Sequence, residues 1–389
     1  MKILTSRKSH EQRLRLNYLD GLRGLAALYV VFVHINRYVG EQLPIFWLLL
    51  GKTLRYGHFA VAIFIVLSGY CLMLPVARSQ NGDISGGFLD YIKRRAKRIL
   101  PPYYAALFFS LLIAVVVLIL NQLSIFTWDE SPDYGDFHPF FTAADVFSHL
   151  FLIHNLSRDT LGSINSPMWT VATEWQIYFL FPILLLPCRR RFGLISVVIV
   201  GFLIGIVPLY LLNGLFASPS PWFIGLFALG MAAADMGFSQ KPKLIALKNS
   251  LPWTLLIIGF FSIAVLTEWK KLGLDVWISD GFCGLATACL LIYCTKATME
   301  DKKPPLILQL FEHRLAIALG SFSYSLYLTH GVVVTLLGHF LLMRLTPLQF
   351  TEIFYLLAVP MSLIIGYLFY LAFERPFIFK KVPAVSHSS

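Results

Sequence analysis

Charge is scarce in this sequence. Only 14% of its 389 residues are charged, 57% are hydrophobic, and mean hydropathy is +0.70. Soluble domains carry about 25% charged residues, so a water-soluble globular enzyme is excluded. Cysteine is sparse too. Cys71, Cys188, Cys283, Cys289 and Cys294 form no C-x-x-C pair and sit in or beside apolar runs, so buried free thiols are expected. The G-x-G-x-x-G, Walker A and H-E-x-x-H patterns are missing. Nothing therefore argues for a dinucleotide, ATP or zinc site, and neither a metal nor a bound cofactor is expected. No internal repeat is evident, and no low-complexity segment beyond the short "SHSS" end. No A-x-A cleavage site follows the first apolar run, so an uncleaved first helix is expected.

What is present is apolar length. A membrane helix needs about 20 mostly apolar residues. Ten runs qualify as candidate spans, near 21–39, 57–77, 99–120, 168–187, 192–212, 219–236, 252–268, 276–295, 315–343 and 353–373. The fold class expected is an all-α integral membrane protein of about ten transmembrane helices. The ninth run is long for one crossing and is expected to tilt or overhang. The net charge of +11 could suggest nucleic acid, but the placement of Lys and Arg points to a bilayer instead. Alternate loops hold 24 of them against seven in the other set, with Arg23 inside a span. Cytoplasmic loops hold the excess, which predicts both termini in the cytoplasm and a multi-pass protein of the cell membrane. The predicted layout is a cytoplasmic arm over 1–20, a transmembrane domain over 21–376 and a cytoplasmic tail over 377–389. The longest loop, 121–167, then faces outside and carries Asp129, Glu130, Asp133, Asp136, Asp145 and Asp159 against one Arg. Its "TAADVFSHLFLIH" run predicts an interfacial helix with Phe147, Leu150, Phe151 and His154 on one face.

The few ionisable residues within spans carry the functional signal, because such groups are costly in lipid. "YLDGLRGLAALYVVFVHINRY" places Arg23 and His34 eleven residues apart. That is about three full turns, so both lie on one face, ~16 Å apart along the axis. Asp20 can pair with Arg23 at i, i+3. In "YIKRRAKRILPPYY", Arg94, Arg95 and Arg98 stand at the inner mouth of the third span. They serve topology there, or clamp phosphate through guanidinium forks. Glu174 in "SPMWTVATEWQIYFLFP" lies at a depth similar to His34 and shares a face with Thr170 and Tyr178. A carboxylate there suits orienting a histidine, or bonding a neighbouring helix. Ser323, Tyr327 and His330 form a polar stripe in the ninth run, which fits a packed interface as well as a site. Ser68 is a further candidate lining residue.

Taken together, these motifs resemble the acyltransferase-3 family of integral membrane O-acyltransferases. "LDGLRGLAALYVVFVH" is similar to the family's first-helix signature, including the R-x10-H spacing. "FAVAIFIVLSGYCL", "RRAKRILPPYY", "SPMWTVATEWQIYFLFP" (with Thr170 where Ser is usual), "YSLYLTHG" and the closing "ERP" at Glu374–Pro376 follow in order. The resemblance implies a ten-helix enzyme moving an acyl group, commonly acetyl. The donor would be cytoplasmic acyl-CoA (acetyl-CoA) as co-substrate, and the acceptor a hydroxyl of a glycan or other molecule outside. It implies that His34 is the catalytic histidine and that Arg23, Arg95 and Arg98 are donor-side or structural; Glu174 falls on the family's acidic position and is expected beside His34 in catalysis, and Arg94 is expected to bind donor with its neighbours. The stand-alone form without an extra extracytoplasmic domain is expected. A secondary transporter of a small anionic solute is the alternative, since charges at the midplane suit one, although paired broken helices are not evident.

Overall fold

The structure, a computed structural model, describes residues 16–40, 43–79, 81–128, 135–214, 217–300, 304–342 and 344–378. Most of the predicted N-terminal arm and most of the predicted tail lie outside the described residues, as do Asp129, Glu130 and Asp133 of the long loop. Each of the ten apolar runs contains a helix. In chain order they are α1 (Asn17–Asn36), α2 (Gly57–Arg78) and α3 (Gly87–Gln122). Next come α4 (Met168–Phe192), α5 (Leu194–Leu211) and α6 (Phe223–Phe238). Last are α7 (Trp253–Thr267), α8 (Val276–Met299), α9 (Ser323–Leu342) and α10 (Pro347–Phe377).

Eight helices among the described residues are long and apolar enough to cross a membrane. α6 joins them only together with Pro242–Ser250, which turns away by 101°. α7 has 15 residues and reaches only ~22 Å against a core of about 30 Å. The chain is thus an all-α, multi-pass membrane protein with eight or nine full spans among the described residues rather than ten equal ones. Leu112, Ile195, Leu211, Leu255 and Ile364 stay exposed around the bundle, as a lipid-facing surface requires.

Three departures from expectation shape the interior. α3 begins at Gly87, three turns before the predicted start, and runs through Pro101 and Pro102. Hydropathy discounts "KRRAKR", but Lys, Arg and Ala are strong helix formers, so the arginines belong to the span's own helix. The ninth run is not one tilted span. It breaks at Phe322 into a short helix, Arg314–Ser321, and α9. The short helix lies flush on α1, where a Cβ on Gly320 would stand 1.9 Å from the Asp20 carbonyl oxygen. In the long loop, a capping box of Thr142 and Asp145 opens a helix over Ala143–Leu150. Phe147, Leu150 and Phe151 are exposed there. His154 leaves that face, because the helix stops at Leu150 and Leu152 turns the chain with φ 54°. The His154 ring is buried flat on His149, with centroids 3.8 Å apart.

α2 and α6 approach through reciprocal glycines. A Cβ on Gly69 would meet the Phe227 oxygen at 2.0 Å, and one on Gly230 the Val66 oxygen at 1.9 Å. Small residues permit such contact between membrane helices. α4 carries a π turn over Phe181–Leu185 containing Pro182, just past Glu174 and Tyr178. A second π turn over Tyr370–Glu374 ends α10. There Glu374 accepts from the Ser325 backbone N–H at 3.1 Å and its hydroxyl at 2.5 Å. Such π turns recur at functional sites.

Candidate functional site

Two cavities lie end to end inside the bundle. The first, about 110 Å³, opens near the start of α1. α1 contributes Arg23 to it, and α3 contributes Arg95 and Arg98. Arg23 donates to Asp20 at 3.2 Å and to the Cys71 sulfur at 3.4 Å. Glu174 and Tyr178 of α4 face the same space, and the Tyr178 hydroxyl donates to Glu174 at 2.6 Å. Ser68 stands 3.2 Å from that hydroxyl. Ser323 and Tyr327 of α9 complete the wall. Most residues singled out in the sequence therefore converge, although they come from five helices.

The second cavity, about 460 Å³, holds His34. Its carboxylate partner is not Glu174. It is Asp136 of the long loop, whose carboxylate binds His34 Nδ1 and accepts from Arg37 at 2.6 Å. Asp136 is held by its backbone as well. Its N–H donates to the Thr335 hydroxyl at 3.0 Å, and its carbonyl accepts from Ser166 at 2.7 Å. Its side chain is 1% exposed. Burial alone would raise its pKa, but the His34 contact and Arg37 outweigh burial and hold the carboxyl well below the ordinary carboxylate range. Asp136 is ionised at neutral pH, and it keeps the His34 proton on Nδ1. Nε2 is then the nitrogen with a free lone pair, the state a general base requires.

Val61 and Tyr327 line both cavities and mark the constriction between them. The Tyr327 hydroxyl is 2.8 Å from Thr170 Oγ1, and Phe64 packs edge-on against its ring at 5.9 Å. His330 is buried behind His34, with ring centroids 4.8 Å apart. Its Nδ1 donates to the Tyr327 carbonyl at 2.8 Å, and its Nε2 has no hydrogen-bond partner. Arg94 is not brought to either cavity. It donates to the Ser85 carbonyl at 2.7 Å, because its neighbour Arg95 takes the inward face of α3. Asp20 pairs with Arg23 at 3.2 Å.

Four residues went unrecognised in the sequence. Asp136 counted only as one of the loop's acids, and Arg37 only as an outer charge. His58 and Asp280, which also line the second cavity, are bonded at 2.7 Å. Asp280 carried a usable signal: an ionisable residue within an apolar run is a functional candidate by default.

This architecture defines a class: a multi-pass helical membrane protein with a guanidinium-lined cavity at one end and a histidine–carboxylate pair in a second cavity beyond a constriction. The chain belongs to the acyltransferase-3 family, whose acyltransferase domain profile matches residues 16–371. It is similar to a provisionally named O-acetyltransferase of Staphylococcus aureus (strain MRSA252), with 24% identity over 95% of this chain and 58% of that protein. It is similar to a provisionally named peptidoglycan O-acetyltransferase, YrhL, of Bacillus subtilis (strain 168), with 27% identity over 82% of this chain and 48% of that protein. A provisionally named acetyltransferase of Acidianus two-tailed virus shares 24% identity over 86% of this chain and 89% of its own length. The chain thus spans about half the length of the first two. No solved structure matches.

Proposed function

We propose that the chain is a membrane O-acyltransferase that takes an acyl group, in the simplest case acetyl, from acyl-CoA and passes it to a hydroxyl of an extracytoplasmic glycan. The observation that carries this reading is the order of groups along one axis. Guanidinium groups of Arg23, Arg95 and Arg98 line one cavity, a constriction follows, and an oriented His34 stands beyond it. Guanidinium forks suit the phosphates of coenzyme A, and the pantetheine arm reaches through the neck at Tyr327. The names of the relatives support the acetyl group, and YrhL supports a cell-wall glycan as acceptor. The lysine and arginine count supports a cytoplasmic arginine end.

In this mechanism the acceptor hydroxyl attacks the thioester carbonyl carbon while His34 Nε2 takes its proton. The tetrahedral centre collapses, the carbon–sulfur bond breaks, and the thiolate takes the proton back from His34. Asp136 stabilises the imidazolium between these events. Glu174 orders the donor cavity through Tyr178 and Ser68. Purified protein given isotope-labelled acetyl-CoA and a cell-wall glycan tests the reaction. Labelled ester on the glycan, absent in His34→Ala, is expected. Unchanged donor in every acceptor condition would refute it.

A further inference from the structure

A second group of residues lining the cavity that holds His34 has no part in the mechanism above, yet it is built with care. Asp280 is 1% exposed and lies within α8. A buried carboxylate is costly unless paired, and this one is held twice, by His58 Nδ1 at 2.7 Å and by the Trp222 indole N–H at 2.8 Å. These bonds fix both rings. His58 Nε2 is left buried without a hydrogen-bond partner, with Glu268 Oε2 at 3.4 Å. Trp222 is preorganised by its own segment, "SPSPW", in which Ser220 adopts φ 50° between two prolines. Backbone strain of that kind persists where surrounding structure holds it, often at functional sites. The Pro219 carbonyl is also tied to Thr173 at 3.1 Å. Trp222 packs edge-on against Phe223 at 5.8 Å, and Trp169 stacks on Phe223 at 5.9 Å. Both tryptophans are only half-buried and line the cavity.

We propose that His58, Trp222 and Asp280, with Trp169 beside them, form the seat for a neutral pyranose ring of the acceptor. The proposal rests on the reading that His34 transfers an acyl group to a hydroxyl, and it adds the shape and charge of what is acylated. A pyranose has apolar C–H faces, which pack on an aromatic ring, and equatorial hydroxyls around its rim. The wall offers the complementary set: indole faces, the His58 imidazole, whose Nε2 has only the Glu268 carboxylate at 3.4 Å, and the hydroxyls of Ser166 and Ser220. The volume falls in the usual range of small-molecule sites, about 300–1,000 Å³. Charge selects against the rival acceptors. Arg37 is engaged by Asp136, and Arg55 lies over the Tyr56 ring, 3.4 Å from the Glu268 carbonyl. An acidic headgroup would therefore find these cations already engaged and the Asp136 and Asp280 carboxylates in the same wall.

The test uses the full chain in detergent and an oligomer of β-1,4-linked N-acetylglucosamine as probe. Sorbitol, which has hydroxyls but no ring face, and glucose 6-phosphate serve as controls. The oligomer is expected to quench tryptophan fluorescence saturably, with neither control doing so, and Trp222→Leu is expected to abolish the quench. In transfer assays, Trp222→Leu and His58→Gln are each expected to raise the KM for the oligomer roughly tenfold. The KM for acetyl-CoA is expected to stay unchanged. Trp222→Phe, which keeps a ring face, is expected to retain part of the affinity if Trp222→Leu folds poorly. Equal quenching by sorbitol, or parallel loss of donor and acceptor parameters in these variants, would overturn the seat. If the wild type binds the oligomer through Trp222 but consumes no acetyl-CoA, the seat stands and the acyl-transfer reading fails. If it transfers to the oligomer with a KM indifferent to both variants, the reverse holds.

Discussion

The two cavities differ in whether their charges are already neutralised. In the first, Arg95 and Arg98 form no ion pair among the described residues, and Arg95 Nε is buried without a partner. Glu174 is engaged by Tyr178 rather than by an arginine. In the second, Asp136 is paired with His34 and Arg37, and Asp280 with His58 and Trp222. One cavity holds surplus positive charge that a polyanion would complete. In the other, both buried carboxylates already have a histidine partner. On the proposed reading, donor binding and chemistry are separated in space along α1, with Arg23 in one cavity and His34 in the other.

The sharpest way to break this contrast is at the second cavity. His34→Ala is expected to lower transfer by roughly 10²–10⁴-fold, with membrane insertion and donor binding retained. Asp136→Asn preserves size but removes the charge that orients His34, and a fall in kcat of roughly 10²-fold is expected, with the acyl-CoA KM unchanged. A rise in that KM instead would place the loop in donor binding.

At the first cavity the expected signature is reversed. Replacing Arg95 and Arg98 together with Gln is expected to raise the acyl-CoA KM by roughly tenfold or more, with little loss of kcat. The difference from wild type is expected to narrow at high salt, where exposed charge contacts are already screened. Equal effects on kcat would mean that the arginines hold the bundle rather than the donor. Arg94→Gln, by contrast, is expected to leave the KM unchanged, because Arg94 binds the Ser85 carbonyl.

The smallest effect concerns the long loop that carries Asp136. Burial lowers the pKa of His149, and burial with His149 beside it pushes His154 down to about 2. His154 stays neutral in the folded state and His149 is harder to protonate there, whereas their unfolded counterparts titrate near 6.5. Below that pH the unfolded state binds more protons, so stability falls as pH falls. Between pH 7.5 and 5.5 the loss from His154 is about 1.4 kcal/mol, and His149 adds to it in the same direction. Thermal unfolding at those two pH values measures it, and His154→Phe is expected to remove the His154 share of the dependence.

Legibility in the sequence followed locality. Arg23 and His34 belong to one helix, so counting turns was enough to place them on one face and in successive cavities. The order of motifs likewise brought Glu174, Tyr178, Ser323 and Tyr327 to the same interior. Asp136 was illegible, because it reaches His34 from 102 residues away in an irregular strap whose course depends on Thr335 and Ser166. Which arginine of Arg94 and Arg95 points inward depended on α3 starting at Gly87, a boundary that hydropathy cannot see. His154 was assigned to the lipid face by helical periodicity, which ends where the backbone turns at Leu152.

The central claim is that donor and acceptor meet at His34 from opposite faces of the membrane. Sealed vesicles of known orientation, with acetyl-CoA confined to the face bearing the arginine cavity and a glycan acceptor confined to the other, test it directly. The account predicts labelled ester on the acceptor in that arrangement and none when the two compartments are exchanged. Ester formed only when donor and acceptor share the arginine face would contradict it.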